Sequence, residues 1–281
     1  MEAQLEQIRE QQKETWNKFS VGWKKWDEQM MDFLRPMGTE IIRLLQPAGN
    51  DVVLDVASGT GEPGLTIASM LTDGKVISTD VAEEMLKIAK ENAEKRGIKN
   101  FETKAADVCE LPFDDNSFDA ISCRFGFMFF PDMLMAAKEM ARVLKPGGRI
   151  ATSVWNVPEK NFWITSIIGT INKNMELPAP PPGAPGMFRC AADGFIAGLF
   201  KGAGLKNISQ TEINTTLNSG TNERFWSMHT EVAAPIVAAL SKSDEVMKAK
   251  IKSEVFAVLD KKFAGTLVAP QASALVVYGE K

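Results

Sequence analysis

The 281-residue sequence has few cysteines, one histidine, one tyrosine and no long apolar run. No segment approaches the ~20 apolar residues that a membrane-spanning helix needs, and the polar N-terminus does not resemble a secretory signal. Cys109, Cys123 and Cys190 lack metal-ligand spacing, which predicts no metal site and a reducing, cytoplasmic location. The net charge is −4, so the basic charge typical of nucleic-acid-binding proteins is missing. We therefore expect no nucleic-acid partner and no membrane span.

The N-terminal part of the chain is predicted to be helical. Trp23, Trp26 and Met30 follow Phe19 at spacings of three or four residues, which places these side chains on one helix face. Proline removes a backbone N–H donor, and its ring clashes with the preceding turn. Pro36 therefore predicts a break within this helical segment.

Strands and helices then alternate up to residue 155. The predicted strands are 52–56, 75–79, 101–106, 118–123 and 149–155, and the predicted helices are 61–71, 82–95 and 132–144. Strands that are separated by helices of this length predict a parallel sheet with right-handed crossovers.

The pattern changes after Trp155. Residues 157–188 are predicted to be irregular, with a proline-rich loop at 178–183. A helix at 191–202, a strand at 206–215, a mostly helical stretch at 221–263 and a last strand at 272–277 are predicted to follow. We divide the chain into an N-terminal helical cap (1–46), an α/β core (47–215), a helical insertion or lid (216–268) and a final strand of the core sheet (269–281).

The most informative stretch is a strand that runs into an acid and a glycine-rich turn, and residues 55–61 read DVASGTG. In α/β proteins a nucleotide binds at such a strand end, because glycines admit the ligand and the next helix offers unpaired N–H groups. Residues 59–64 also fit the dinucleotide pattern G-x-G-x-x-G. An NAD(P)-dependent oxidoreductase of Rossmann fold is therefore an alternative, although Tyr278 has no lysine four residues later.

Three acids stand at the ends of successive predicted strands. Asp55 can face the ammonium group of a ligand, directly or through water. Asp80 can accept both ribose hydroxyls in a bidentate contact, a device that NAD-binding proteins share. Asp107 can accept the amino group of adenine, and the Val108 N–H can meet a ring nitrogen.

Three further motifs follow in order: LPF at 111–113, FD at 118–119 and RVLKPGG at 142–148. With them, residues 45–155 resemble the class I S-adenosylmethionine (SAM)-dependent methyltransferases, specifically the ubiquinone/menaquinone-biosynthesis-like group called methyltransferase type 11. The resemblance implies a Rossmann-like α/β sheet of seven strands, the last antiparallel between the fifth and sixth, with helices on both faces. N-terminal helices and a C-terminal helical insertion add to this fold. One departure is Ala57, where many members have glycine and where we expect φ below zero.

The resemblance also implies SAM as the cofactor and S-adenosylhomocysteine as the product. Arg124 is expected near the SAM carboxylate, with a salt bridge at the strand end as the other interpretation. Met85 is expected over the adenine face, with ordinary helix packing as the other interpretation. The predicted cofactor-binding residues are Asp55, Ala57, Ser58, Gly59, Gly61, Asp80, Val81, Met85, Ala106, Asp107, Val108 and Arg124.

The predicted reaction is methyl transfer to a small, apolar or aromatic molecule. Trp23, Trp26, Phe125 and Phe129 are the predicted substrate-pocket residues, and Trp155, Trp163 and Trp226 are candidates for an apolar lid. His229 is the candidate base because its unperturbed pKa is near neutrality, although a solvated surface histidine is the favoured interpretation. The sequence leaves open the identity of the acceptor, the choice between O-, N- and C-methylation, and the oligomeric state. A SAM-binding protein without transferase activity is a further alternative, because its cofactor residues would look the same.

Overall fold

A computed structural model describes residues 2–178, 181 and 183–281, so part of the predicted proline-rich loop lies outside the described residues. In this described part, the strands are β1 (Val52–Val56), β2 (Lys75–Asp80), β3 (Phe101–Ala105), β4 (Phe118–Arg124), β5 (Leu144–Trp155), β6 (Lys206–Thr216) and β7 (Gln271–Glu280). The α-helices are α1 (Glu2–Lys25), α2 (Asp27–Leu45), α3 (Gly64–Met70), α4 (Glu83–Lys95), α5 (Met133–Val143), α6 (Phe162–Asn174), α7 (Phe195–Gly202), α8 (Asn222–Val232), α9 (Ala234–Leu240) and α10 (Glu245–Lys262).

The described strands form one sheet of seven strands in the order β3-β2-β1-β4-β5-β7-β6. Strands β1 to β5 pair in parallel, whereas β7 runs antiparallel to both of its neighbours, β5 and β6. This confirms the seven-stranded sheet and the antiparallel last strand between the fifth and sixth that the resemblance implies. The strand order reverses between β1 and β4, and ligands of open α/β sheets bind at such a reversal.

The predicted helix break at Pro36 is wrong. Pro36 lies inside α2, which is continuous and buries Met30, Phe33, Leu34, Met37, Ile41 and Leu45. Helix α2 packs on β4 and β5, and burial of this face outweighs the ~3 kcal/mol that an internal proline costs. The break lies at Trp26 instead, where ψ is 12°, so α1 and α2 are separate helices.

The prediction of irregular structure for residues 157–188 is wrong over α6. This helix buries Ile164, Ile167 and Ile171, whose spacings of three and four residues are helical. Helices α8, α9 and α10 lie between β6 and β7 in the chain. None of the helices in the described ranges combines the length and the apolar character that crossing a bilayer would require.

Candidate active site

A cavity of about 590 Å³ lies at the carboxyl ends of β1, β2, β3 and β4. Side chains of α1, α2 and α9 complete its wall from the other side of the cavity. Most of the predicted site residues lie on this wall: Trp23, Ala57, Ser58, Gly59, Asp80, Val81, Met85, Ala106, Asp107, Val108, Arg124, Phe125 and Phe129. Among the described residues, Trp26, Asp55, Gly61 and His229 lie off the wall.

The glycine turn, residues 58–61, brings bare backbone to the cavity. Gly59 has φ +55°, and a Cβ added there would meet no protein atom within 4 Å, so Gly59 faces open space. Gly61 has φ +109°, and a Cβ there would come within 2.8 Å of Leu65 Cδ1. Glycine is thus needed at 59 for approach to a ligand and at 61 for packing of the turn on α3.

Asp80 holds the glycine turn and also lines the cavity. Its Oδ2 accepts a hydrogen bond from the Gly59 N–H at 2.9 Å, and its Oδ1 accepts one from the Ala82 N–H at 2.9 Å. Burial raises the pKa of this carboxyl, against these backbone donors, which lower it. Each carboxylate oxygen keeps a second lone pair, so Asp80 can still accept ribose hydroxyls.

Asp55 lies behind the wall and supports it. The carboxylate is fully buried, and its Oδ1 accepts from Ser122 Oγ at 2.6 Å while its Oδ2 accepts from the Gly64 N–H at 3.1 Å. Burial raises the pKa of Asp55 to about 7. In this arrangement Asp55 joins β1 to β4 and to the start of α3, and it does not face the cavity.

Two wall residues that are not glycine adopt left-handed backbone conformations. Ala57 has φ +51° and Phe125 has φ +62°, so the expectation of negative φ at Ala57 is wrong. Ala57 also lies close to Gly126, the residue that follows Phe125, where an added Cβ would lie 2.9 Å from the Ala57 Cβ. Close packing of the β1 and β4 ends fixes both strained positions, and such strain is concentrated at functional sites.

Arg124 presents a guanidinium group to the cavity. Its Nη2 donates to Met31 Sδ at 3.1 Å, and burial lowers its pKa, against the raising effect of the Glu62, Asp55 and Asp27 charges. Within the described ranges, no carboxylate lies at ion-pair distance from this side chain, so the alternative interpretation as a strand-end salt bridge is wrong. A guanidinium has five N–H donors, and a thioether satisfies little of that capacity, so Arg124 is available to an anionic ligand group.

The cavity also carries an aromatic wall of Trp16, Trp23, Phe125, Phe129, Trp155 and Trp163. The Phe125 ring stacks on Trp155, with centroids 4.2 Å apart and an angle of 22° between the planes. Phe129 meets Trp16 edge to face at 5.1 Å. Such a surface favours apolar and aromatic ligands.

Two predicted residues lie elsewhere. The Trp26 Nε1 donates to Glu231 Oε2 at 2.9 Å, which ties the junction of α1 and α2 to α8. His229 is fully buried, with Nδ1 2.7 Å from the Phe225 carbonyl oxygen. The interpretation as a solvated surface histidine is therefore wrong. Burial lowers the pKa of His229 to about 4, and its position off the wall gives it no acceptor to deprotonate.

The sequence interpretation missed most of the wall that α1 and α9 supply. Arg9, Gln12, Trp16 and Phe19 lie on the wall at helical spacing with the predicted Trp23, and that spacing is the signal that could have identified them. The α9 residues, such as Pro235, Val237 and Ala238, carry no comparable motif.

Residues 53–148 match a family described as "Methyltransferase domain". A demethylmenaquinone methyltransferase of Listeria welshimeri is 37% identical over 123 residues, which is 42% of this chain and 52% of the relative. One from Bacillus cereus is 36% identical over 112 residues, or 40% and 47% of the two chains. The chain thus spans about half the length of the curated relatives it matches.

Solved structures show the same fold. The YcgJ protein of Bacillus subtilis has a TM-score of 0.58 at 20% identity, covering 87% of this chain and 97% of that one. A SAM-dependent methyltransferase from Aquifex aeolicus has a TM-score of 0.52 at 23% identity, covering 70% and 92%. The matched domain contains the glycine turn and the strand-end acids of the cavity. The match to a methyltransferase domain thus covers residues 53–148, and the solved structures share the fold of the whole sheet.

Proposed function

We propose that this chain transfers a methyl group from SAM to a small, apolar or aromatic acceptor. The observation that carries the proposal is that one cavity joins the glycine turn and the strand-end acids to the aromatic wall. A cofactor and an acceptor can therefore meet in the same space, as a transfer reaction requires.

The cavity fits the cofactor by its residues. The open space over Gly59 admits the ligand beside the turn, and Arg124 supplies donors for a carboxylate. Asp80 offers lone pairs to the ribose, and Asp107 and Val108 lie at the end expected to hold adenine. SAM supplies a methyl group on a sulfonium, and the residues of the chain bind and orient it.

The acceptor would lie against the aromatic wall. Stacking on rings such as Phe125 and Trp155 would fix a planar acceptor and exclude water from it. Orientation of two reactants in this way can lower a barrier by ~7–11 kcal/mol, so positioning is the contribution that this geometry supports. The curated relatives are named for demethylmenaquinone, and a quinol-like acceptor would suit such a wall.

The cofactor is tested by calorimetry of the purified chain with SAM, S-adenosylhomocysteine and NADH. We expect micromolar binding of the two adenosyl ligands and none of NADH. Tight NADH binding without SAM affinity would overturn the proposal in favour of the oxidoreductase.

The transfer is tested with methyl-labelled SAM and a panel of phenolic, enolic and amine acceptors. We expect label to be transferred to at least one planar acceptor. SAM binding without product from any acceptor would indicate a SAM-binding protein without transferase activity. Label found only in protein or RNA would overturn the proposal that the acceptor is a small molecule. We also propose a cytoplasmic location, which the three free cysteines support.

A further inference from the structure

Helix α1 contributes a face to the cavity although little of the helix is buried. Arg9, Trp16 and Trp23 lie on the cavity wall, whereas Ser20 is the one residue of α1 that is buried in the described range. The helix therefore lies over the cavity as a cover, and polar contacts at particular points connect it to the core.

One of these contacts is at the end of the cavity expected to hold adenine. The Arg9 guanidinium forms an ion pair with Asp107 Oδ2, and the two side chains are 28% and 19% exposed. The other oxygen, Asp107 Oδ1, accepts from the Cys109 N–H at 2.9 Å. Asp107 is thus held from two sides, by backbone of its own loop and by a cation from α1.

This arrangement fixes the direction in which Asp107 presents its remaining lone pairs. An ionised carboxylate only accepts hydrogen bonds, so a fixed Asp107 favours a base with an amino group at position 6. A base with a carbonyl oxygen at that position would place acceptor against acceptor. An Asp107 that is free to rotate would discriminate less, because it could turn away and admit water.

We infer that Arg9 is a positioning residue that acts through Asp107 to select adenine over a 6-oxo purine. The inference rests on the proposed function, because it assumes that an adenosyl ligand occupies this cavity. Arg9 lies outside the residues 53–148 that match the methyltransferase domain, so the selection depends on a segment that the domain does not include.

The same helix offers a matched control. Lys24 pairs with Glu91 of α4 at 2.6 Å, with the two side chains 50% and 43% exposed, and neither residue is among the described residues of the wall. Arg9→Met and Lys24→Met each remove one cation of α1 and keep a long side chain. A loss that follows from a general loosening of α1 would appear in both variants.

The experiment is calorimetry of the full chain with S-adenosylhomocysteine and with S-inosylhomocysteine, its 6-oxo counterpart. We expect Arg9→Met to reduce the preference for the adenosyl ligand about tenfold, equal to ~1.4 kcal/mol. Lys24→Met should retain the wild-type preference, and Arg9→Lys should restore much of it. Circular dichroism and thermal melting of each variant confirm that it is folded.

Three outcomes would overturn the inference. Arg9→Met could weaken the binding of both ligands by the same factor, which would mean that Arg9 holds α1 over the cavity without selecting the base. It could also leave both affinities unchanged, or Lys24→Met could lose the preference equally. If the wild-type chain bound neither ligand, the proposed function itself would fail, and that result is distinct from any change of preference among the variants.

Discussion

The buried carboxyl of Asp55 makes the stability of the protein depend on pH. Burial raises its pKa from 3.8 to about 7, so the folded state holds this proton more tightly than the unfolded chain does. By linkage, the Asp55 contribution to the free energy of unfolding is highest below about pH 4 and falls as the pH rises to about 7. One pKa unit corresponds to ~1.36 kcal/mol, so the fall between pH 5 and pH 7 amounts to about 2–3 kcal/mol.

Asp55→Asn tests this magnitude. The amide does not titrate, so the free energy of unfolding of the variant should lack this decrease. The amide also turns an N–H toward the Ser122 hydroxyl or the Gly64 N–H, both of which are donors in the native contacts. That conflict lowers stability by an amount that does not vary with pH, so the slope is the informative quantity.

The assay is urea unfolding at several pH values between 5 and 8, followed by tryptophan fluorescence. We expect the difference between wild type and Asp55→Asn to change by about 2–3 kcal/mol over this range. Asp73→Asn makes the same chemical change at an exposed position and should leave the wild-type slope intact. His229 also titrates, but it is common to all three proteins and its contribution cancels. Parallel curves for wild type and Asp55→Asn would refute the assignment of a tightly held proton to Asp55.

Three further predictions follow from the cavity wall. Ala57→Gly should relieve left-handed backbone strain and raise the free energy of unfolding by about 0.5–1 kcal/mol, after subtraction of the entropic cost of glycine. Calorimetry should show a Tm a few degrees higher, and a lower Tm would contradict this. Arg124→Met should weaken the binding of S-adenosylhomocysteine about tenfold, or ~1.4 kcal/mol, and leave the affinity for 5′-methylthioadenosine unchanged, because the latter lacks the carboxylate. An equal loss of affinity for both ligands in titration calorimetry would contradict the carboxylate contact. Phe125→Ala should raise the KM for a planar acceptor with little change in the Kd of SAM. Steady-state kinetics in which only the affinity for SAM falls would exclude Phe125 from the acceptor side.

The positions of two acids on the cavity wall were predictable because they depend on local sequence. Asp80 and Asp107 end strands and stand beside turns, so their positions follow from the period of the strands and the direction of a parallel sheet. The place of β7 between β5 and β6 came from the family resemblance, because antiparallel insertion of a distant strand leaves no local signal.

The features that were predicted wrongly depend on tertiary packing. Pro36 stays helical because one face of α2 is buried against the sheet, and a proline rule does not measure that burial. His229 is buried because α8 packs its face inward, with the imidazole ring 5.6 Å from that of Trp163 on α6. Ala57 takes a positive φ because the ends of β1 and β4 approach each other closely at Gly126. None of these neighbours is adjacent in the sequence.

The direct pairing of β6 with β7 has an evolutionary consequence. Thr216 pairs with Gln271 at the point where the chain leaves the sheet and returns to it, so α8, α9 and α10 occupy the position of one very long hairpin loop. Loops whose ends are held together tolerate changes of length at low entropic cost. We therefore expect changes of length in this segment to leave the register of β6 and β7 in place. Because α9 supplies part of the cavity wall, changes in this segment can reshape the cavity while the glycine turn keeps its place.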